Sequence, residues 1–575
     1  MNIIKSNTPI GHVLLTLTTM ALLWGLSCIS PQHIYAQEVI PLPAVKEADG
    51  RMGTCYTFYD ESLVQRAYQA GSRWDRFDFR WSAIEETQGV FLFSGHDTIV
   101  NLDLARGLDV VGILGSTAAW ATSSCPTTTH HMPTISATVP GHPPLWLPQA
   151  PELTKPLALS GSADDVWWRP CPPDNLDLPW DHPDNAWGNF VYQTVSHFKG
   201  RVHVWEIWNE PDLGDVFWSG TPGQYAQLLK VGYKAVKAAD PEATVLFAGL
   251  AYWSNPSLYI QVLDALQQFE EATTHNYYFD VMSLHLYSDI YNIRPVIAHI
   301  NANMTSRVGP HPIWLTETGV PLWDENPYTP GQPYYYAATI EEAAAYTLES
   351  YAEARAGGVE KFFFFRAHDE YMQESFGLIR NDGSLRPAYV TYQMAARYLR
   401  GENQIDGPYQ HDTGARWITF LGTPYGRTDV LWNTTEVTVT HMHTAVLPIA
   451  TLIDVQGQAQ LITTTDISPY NFFTLTLQPA TANNAPDGRY FIGGPPVLLI
   501  QGDTEIPSST LHPLPVGIYT DVLTLTWDAL DLVSGYWYEE ITIAPTPVGP
   551  WRTVAERPQT QGVMQTAINL PPMGS

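Results

Sequence analysis

Short apolar runs alternate with longer amphipathic stretches between about residue 51 and residue 400. The runs that we interpret as strands are 74–79, 110–114, 202–208, 244–249, 279–286, 312–317 and 359–366. Near-continuous apolar strands with helices between them are typical of a parallel sheet that is covered by helices. The pattern therefore predicts an α/β region.

Two helices of this region have recognisable ends. One covers 221–239, where the side chain of Thr221 can cap the first turn. The other covers 340–356 and stops at Gly357-Gly358, where glycine can adopt the left-handed conformation. A region of about 350 residues with this alternation fits a (β/α)8 TIM barrel with insertions. Periodicity alone leaves an open sheet as the alternative.

One segment, 120–185, interrupts the alternation. It has little periodicity, many prolines and, after Trp120 at its start, four further tryptophans, which are Trp146, Trp167, Trp168 and Trp180. A connection of this length is usually functional or disordered. We predict an ordered loop over the barrel mouth, which lines a substrate cleft or simply packs onto the barrel. Cys125 and Cys171 flank most of this segment and could form a disulfide, whereas Cys55 has no obvious partner.

The pattern changes after residue 400. Short alternating strands with turn residues between them are expected at 416–421, 428–433, 436–441, 450–454, 460–463 and 472–477. The domain boundaries that we predict are 1–36 for an export signal, 37–400 for the barrel, 401–501 for a β-sandwich and 502–575 for a small β unit. The last unit is shorter than the roughly 100 residues of an immunoglobulin-like sandwich, so an incomplete unit is the alternative.

The first residues are typical of an export signal. Lys5 precedes a long apolar run, and Ile34-Tyr35-Ala36 is a passable cleavage site before Gln37. We therefore expect a secreted or cell-surface protein. An uncleaved membrane anchor or, at Cys28, a lipoprotein site are the alternatives, because the run approaches the ~20 residues that span a bilayer.

Charge excludes several classes of partner. The chain has 29 Lys and Arg against 58 Asp and Glu, which gives a net charge of −29, and its basic residues do not cluster. Nucleic acids and anionic membrane surfaces are bound by clustered cations, so neither partner is expected. Aromatic residues make up 12% of the chain. They serve core packing or, alternatively, offer faces for sugar rings.

Two predicted strands end in glutamate. The segment 204–211 delivers Asn209 and Glu210 before a proline, and the segment 312–319 delivers Glu317 before a glycine. In a barrel, catalytic groups from different strands meet at the C-terminal rim. Two carboxyl groups there are what glycosidic cleavage needs: one donates a proton, while the other attacks the sugar or activates water. A single glutamate would more often be a buried ion-pair partner.

Four segments, taken together, resemble clan A glycoside hydrolases of the family 39 and family 5-like type. Trp-Asn-Glu-Pro in 204–211 and Trp-Leu-Thr-Glu-Thr-Gly in 314–319 are similar to that clan's acid/base and nucleophile strands, the fourth and seventh of the barrel. The segment 74–93 is similar to the second strand with its following loop, and 279–287 to the sixth strand. The four occur in family order.

The resemblance implies a role for individual side chains. It makes Glu210 the general acid/base and Glu317 the nucleophile. Asn209 would bond the sugar hydroxyl next to the reacting carbon, and Tyr287 would orient Glu317. Arg76 would lie under Glu317 and keep it ionised, because a nearby cation lowers the pKa of a carboxyl group.

Other polar residues of these strands have more than one interpretation. His285 lies two residues before Tyr287, so both face one side of their strand and His285 supports the site. A satisfied core histidine is the alternative for His285, and a structural ion pair is the alternative for Arg76. We expect structural roles for Glu206, Asp78 and Asp280.

Aromatic and basic residues are expected around the sugar. Trp205 and Trp208 would give Glu210 a less polar setting, which raises a carboxyl pKa, and Trp120 and Trp208 are our aromatic candidates for the substrate site. The eighth strand of the resembled enzymes usually carries a tryptophan under the sugar. Arg366 and His368 stand there in this chain, and an extra cation could favour an acidic glycan.

The preferred interpretation is a secreted retaining glycosidase acting on a glycoside or an oligo- or polysaccharide. It predicts carboxyl groups ~5–5.5 Å apart, against ~6.5–9.5 Å for an inverting enzyme. No cofactor or metal is expected, since the sequence carries no zinc-protease, phosphate-loop or dinucleotide motif. The β-sandwich resembles the accessory domain of such enzymes, and the last unit loosely resembles fibronectin type III. The alternative is a non-catalytic glycan-binding protein.

Overall fold

The computed structural model describes most of the chain after residue 38. The described residues are 39–57, 61–123, 125, 168–325, 336–369, 375–401, 404–467, 470–483 and 490–502, with the backbone of five later strands. The predicted export signal at 1–36, Trp146 and Trp167 lie outside these residues. No helix within them is long and apolar enough to cross a membrane.

Eight parallel strands form the barrel. They are β1 Met52–Cys55, β2 Trp74–Arg80, β3 Asp109–Gly115, β4 Val204–Ile207, β5 Thr244–Leu246, β6 Met282–His285, β7 Ile313–Thr318 and β8 Lys361–Phe364. Hydrogen bonds join them in the order β5-β4-β3-β2-β1-β8-β7-β6. Two parallel bridges, between Leu246 and Val281 and between Leu250 and Leu284, connect β5 to β6. The sheet therefore curls into the predicted barrel rather than staying open.

Helices cover the outside of this sheet. They are α1 Glu61–Ala70, α2 Trp81–Ile84, α3 Ser94–Arg106, α4 Ala186–Phe198, α5 Pro222–Ala239, α6 Leu258–Leu266, α7 Ile290–Val308, α8 Ile340–Ala356 and α9 Pro387–Tyr398, with short 3₁₀ turns at Ala119–Ala121, Pro211–Val216 and Thr273–Tyr278. The two predicted helices are confirmed as α5 and α8. Thr221 and Gln224 form a reciprocal cap on α5. Gly358 adopts the left-handed conformation after α8.

An apolar layer fills part of the barrel interior. Its members are Cys55, Val111, Val204, Leu246, Val281, Trp314 and Phe363. On β4, Glu206 follows Val204 on the same face, since strand side chains alternate with a period of two. The interior thus becomes polar toward the C-terminal ends of the strands, where the candidate site lies.

A carboxyl pair is buried between β2 and α3. The Thr57 hydroxyl lies 2.7 Å from Asp75 Oδ2 and 3.2 Å from Asp103 Oδ1. One hydroxyl hydrogen cannot serve both carboxylates, so the pair is stabilised when it retains a proton. Burial raises the pKa of Asp75 to about 6. Burial, together with the charge of Asp75, raises the pKa of Asp103 to about 9.

We expect the Asp103→Asn variant to be more stable than the wild type at pH 9 and similar to it at pH 5. Both folded-state pKa values exceed the unfolded value of about 3.9, so the folded protein binds more protons across this range and wild-type stability falls as pH rises. Asparagine cannot ionise, and the expected gain at pH 9 is about 1 kcal/mol or more. Urea unfolding at both pH values measures it, with exposed Asp109→Asn as the control. An equal difference at both pH values would rule out the retained proton.

Two antiparallel sheets follow the barrel. Their strands are β9 Gln404–Gln410, β10 Ala415–Thr423, β11 Gly426–Asn433, β12 Val439–Thr444, β13 Ile449–Ile453, β14 Ala459–Thr463, β15 Thr465–Ile467, β16 Tyr470–Leu477 and β17 Val497–Gln501. One sheet has the order β14-β13-β17-β11-β10-β9 and the other β12-β16-β15. Residues of both sheets share one apolar core: Ala415, Leu431, Val439, Ala450, Phe473, Leu475, Leu477 and Leu499. This is the predicted sandwich.

Helix α8 joins this sandwich to the barrel. The Arg416 guanidinium donates to the Glu353 carboxylate at 2.8 Å, and the N–H of Gly493 donates to Glu349 at 2.8 Å. Glu349 is fully buried at this contact, and burial raises its pKa well above the usual value. Through these contacts the sandwich packs onto the barrel.

The ends of the 120–185 insertion lie against the barrel. Cys125 and Cys171 form the predicted disulfide. The Trp168 ring packs edge-on against Trp208 and Phe217. The described part of the insertion therefore packs onto the barrel.

Five strands at the C-terminus are described by their backbone alone. They are β18 Ser508–Leu511, β19 Val522–Leu530, β20 Tyr538–Ile543, β21 Arg552–Pro558 and β22 Gly562–Asn569. They pair in two antiparallel sheets, β18-β19-β22 and β20-β21. A β unit after the sandwich agrees with the sequence, while its likeness to fibronectin type III stays a prediction.

Candidate active site

Strand β4 ends in an irregular turn that presents two polar side chains. Trp208 and Glu210 both have positive φ angles, 79° and 42°, a conformation that is unusual for residues other than glycine and that clusters at functional sites. The N–H of Glu210 donates to the carbonyl of Gly249, 2.9 Å away, which ties the turn to the end of β5. Asn209 and Glu210 are buried in the hollow at the barrel mouth, with 8% and 6% of their surface exposed.

Strand β7 brings Glu317 to the same hollow. Its Oε1 accepts from Arg76 at 2.6 Å and its Oε2 accepts from the hydroxyl of Tyr287 at 2.6 Å. One oxygen of Glu210 lies within 4.8 Å of an oxygen of Glu317. The two predicted carboxyl groups therefore face each other across a gap that a single sugar carbon can occupy.

Arg76, on β2, lies beneath this pair and contacts the polar side chains around it. Its guanidinium is fully buried and contacts two carboxylates, Glu206 and Glu317. It also donates to Asn209 Oδ1 at 3.0 Å and contacts His285 Nε2 at 3.1 Å. The charges of Glu206 and Glu317 outweigh burial and raise the pKa of Arg76 further, so the guanidinium stays charged.

His285 contacts both Arg76 and Glu210, the candidate acid. Because Arg76 only donates, His285 Nε2 must accept, so Nδ1 carries the hydrogen and donates to Glu210 Oε1 at 2.8 Å. Burial and the charge of Arg76 lower the pKa of His285 well below its usual value, so the ring is neutral. A Cβ at Gly249 would collide with this ring, so glycine is needed at that position.

The two carboxyl groups differ in their electrostatic surroundings. Burial, the charge of Glu317 and the charge of Asp212 raise the pKa of Glu210 well above its usual range. Burial also raises the pKa of Glu317, but Arg76 and the hydrogen bond from Tyr287 oppose that rise. Glu317 therefore ionises first and Glu210 keeps its proton to higher pH. This division is what an acid and a nucleophile require.

A metal ion is the other occupant to consider. Among the described residues, Glu210, His285 and Glu317 are the set whose ligand atoms come within 4.8 Å of one another. The Arg76 guanidinium already contacts Glu317 and His285 and supplies the positive charge there. His285 Nδ1 carries a hydrogen toward Glu210. These three residues are therefore better suited to act as a pair of carboxyl groups with a supporting histidine than as ligands of a metal ion.

The tryptophan predictions need correction. Trp205 is fully buried and faces outward, with Phe79 and Phe198 at its edges. Trp208 is also fully buried, and its indole donates to the carbonyl of Phe217. Because the Trp208 indole is enclosed by protein, it supports the turn rather than contacting a sugar. Trp120 is half-buried, and its indole donates to the carbonyl of Glu85.

The end of β8 brings basic and aromatic residues together. Arg366 and His368 are buried, with 5% and 3% of their surface exposed, and the Arg366 guanidinium lies over the Tyr56 ring, 4.9 Å from its centroid. A preference for an acidic glycan stays a prediction. The half-buried Phe365 ring lies beside Tyr287, with ring centroids 5.8 Å apart, and packs on Phe376. Phe365 was not predicted from the sequence, although it ends the run of four phenylalanines at 362–365.

The predicted structural acids lie in different places. Asp280 precedes β6, accepts from the N–H of Val245 and pairs with Lys237 at 2.9 Å, consistent with a structural role. Asp78, on β2, is half-buried and accepts from the hydroxyl of Tyr56 at 3.4 Å. Glu206 is fully buried against Arg76.

This barrel with two facing strand-end glutamates defines a class of protein, and the chain resembles clan A glycoside hydrolases, as the sequence predicted. A family model described as glycosyl hydrolases family 39 matches residues 157–340. A family 39 glycoside hydrolase from Bacteroides cellulosilyticus shares the fold with a TM-score of 0.53 and 20% sequence identity. That alignment covers 80% of this chain and 83% of that one.

Two curated β-xylosidases also align with the chain. The protein from Caldicellulosiruptor saccharolyticus is 26% identical over 244 residues, which are 38% of this chain and 46% of that protein. The protein from Geobacillus stearothermophilus is 33% identical over 100 residues, which are 16% of this chain and 18% of that protein. The aligned regions thus span less than half of either relative.

Proposed function

We propose that this protein is a retaining glycoside hydrolase with Glu210 as general acid/base and Glu317 as nucleophile. The observation that carries the proposal is the approach of the two carboxyl groups to within 4.8 Å. Retaining enzymes need a separation of about 5–5.5 Å, whereas inverting enzymes need room for a water between carboxyl groups ~6.5–9.5 Å apart. The cation and the hydroxyl donor on Glu317 support its role as the ionised partner.

The reaction has two steps. First, a carboxylate oxygen of Glu317 bonds to the anomeric carbon while the bond to the leaving oxygen breaks, and Glu210 gives that oxygen its proton. Next, Glu210 takes a proton from water, whose oxygen bonds to the anomeric carbon and displaces Glu317. In this proposal Asn209 bonds the neighbouring sugar hydroxyl; the hydrogen bond from Arg76 to its amide oxygen, at 3.0 Å, supports that role by fixing the amide.

We infer that β-xylosides are the substrates to test first. This rests on the two relatives named β-xylosidase and on the half-buried Phe365 ring, a flat apolar surface beside the nucleophile. We also propose that the protein is exported. The apolar N-terminal run and the Cys125–Cys171 disulfide support this, because disulfides persist in oxidising compartments.

Aryl glycosides test the proposed function. Purified protein is incubated with nitrophenyl xylosides, glucosides, arabinosides and galactosides of both anomeric configurations, and phenol release is followed. We expect turnover of at least one β-glycoside. Glu317→Gln protein purified in parallel controls for contaminating enzymes. Saturable glycan binding without release from any substrate would favour the glycan-binding alternative instead.

A further inference from the structure

We propose that Glu206 is a positioning residue of the active site. Its carboxylate holds the Arg76 guanidinium in place, and the positive charge of Arg76 is divided between Glu206 and the nucleophile, Glu317. The inference rests on the proposed function, since it assigns a role within the same reaction. Glu206 itself is fully buried and lies behind Arg76. It acts on the reaction through that guanidinium and does not touch a sugar.

The contacts of Glu206 form a two-pronged ion pair. Its Oε2 accepts from Arg76 Nε at 2.8 Å and its Oε1 accepts from Arg76 Nη2 at 3.0 Å. The same Oε1 accepts from the N–H of Gly249 at 2.6 Å, so the carboxylate is anchored to the end of β5. Paired contacts of this kind fix the plane as well as the position of a guanidinium.

The fixed plane determines what the rest of Arg76 reaches. With Nε committed to Glu206, Nη1 is directed at Glu317, 2.6 Å away, and Nη2 at Asn209, 3.0 Å away. Without the Glu206 carboxylate, the Arg76 guanidinium would be attracted by Glu317 with no opposing contact, and it would leave this position. Glu206 thus orients the nucleophile and the sugar-binding amide at once.

Charge adds a second consequence. Three buried carboxyl groups, those of Glu206, Glu210 and Glu317, surround one guanidinium, and His285 is neutral. A single cation does not compensate three carboxylates, so the cluster is stabilised by a proton. Glu206 and Glu317 pair directly with Arg76, and the proton therefore stays on Glu210.

Other ionisable groups near this cluster do not change that balance. Asp212 follows Glu210 in the turn and adds negative charge from the β4 side. Asp78 faces the cluster from β2, with its own partners Tyr56 and Arg80. Tyr225, from α5, donates to the carbonyl of Ile207 and is neutral. Arg76 remains the cation that directly contacts the carboxyl groups.

A pH profile tests the proposal. For Glu206→Gln, with a glycoside that the wild type hydrolyses, both limbs of kcat/KM are expected to move to lower pH by about one unit. Removing the negative charge at position 206 lowers the pKa of both Glu210 and Glu317. Glu210 then loses its proton at lower pH, which moves the alkaline limb, and Glu317 becomes ionised at lower pH, which moves the acidic limb. Glu206→Asp retains the charge, but its side chain is one methylene shorter and its carboxylate is withdrawn from Arg76, so kcat is expected to fall while both limbs stay in place. Glu349→Gln, another buried carboxyl exchange on α8, is the matched control.

The outcomes separate the two claims. If kcat of Glu206→Gln falls equally at all pH values and neither limb moves, the proposed role is overturned while the glycosidase remains. If Glu206→Gln does not fold, Glu206→Asp decides: wild-type kcat in that variant overturns the positioning role, and a tenfold or larger loss supports it. A wild type that hydrolyses no glycoside overturns the proposed function and this role with it.

Discussion

The Glu317→Gln variant is expected to lose about 10⁴-fold or more in kcat with every substrate that the wild type cleaves. Glutamine retains the shape of glutamate and can still accept from Arg76, but its amide is too weak a nucleophile to attack the anomeric carbon. Removing one member of a group that acts as a unit costs nearly the whole catalytic effect. Steady-state rates with an aryl glycoside measure the loss.

Two additional measurements make this result specific for a nucleophile. Glu360→Gln makes the same exchange at the opposite end of the barrel, where Glu360 accepts from Trp314, and should retain wild-type activity. In Glu317→Ala, added azide can enter the space of the lost side chain and attack in its place, giving a glycosyl azide of inverted configuration. Residual turnover within tenfold of the wild type would contradict the role of Glu317.

The Glu210→Gln variant is expected to show a loss that depends on the leaving group. Glu210 supplies a proton to the departing oxygen, and a positioned acid contributes about 10²–10⁴-fold. Alkyl glycosides, whose leaving group needs the proton, should lose that full factor. Dinitrophenyl glycosides, whose leaving group departs as an anion, should lose little in the first step, and the glycosyl-enzyme should accumulate because water is no longer activated.

The pH profile gives a second readout for Glu210. In the wild type, activity falls at high pH when Glu210 loses the proton that burial and neighbouring carboxylates retain. Glutamine cannot ionise, so the alkaline limb should disappear from the profile of Glu210→Gln with activated substrates. Asp212→Asn, two residues away, should keep the limb but move it to lower pH. An unchanged alkaline limb in Glu210→Gln would assign the acid to another group.

Much of the barrel could be predicted because its strands are apolar and its helices have caps. The residues Thr221 and Gly358 marked the ends of two helices, and the structure confirms both. Strand β1 was missed, since Met52–Cys55 is short and contains a glycine and a threonine. Closure of the barrel could not be predicted from the sequence either, because it depends on backbone pairing between β5 and β6 rather than on the side-chain pattern.

The site was predicted where a strand ends in a recognisable motif. Glu210 and Glu317 were found by this reasoning together with the family resemblance, and the structure brings them together. The direction of Trp208 was not predictable: alternation would place it on the face of Glu206, but its positive φ turns the indole into an aromatic cluster outside the barrel. The partnership of Glu206 with Arg76 joins residues that are 130 positions apart. No local pattern reveals such a contact.

Trapping of the covalent intermediate tests the central claim most directly. A 2-fluoro glycoside with a good leaving group forms the glycosyl-enzyme but slows its hydrolysis, so a retaining enzyme is inactivated and gains the mass of one fluorosugar. We expect peptide mass spectrometry to find that mass on Glu317, and Glu317→Gln to remain unlabelled. Hydrolysis without a covalent adduct and with an inverted product, or a label on a different residue, would contradict the account.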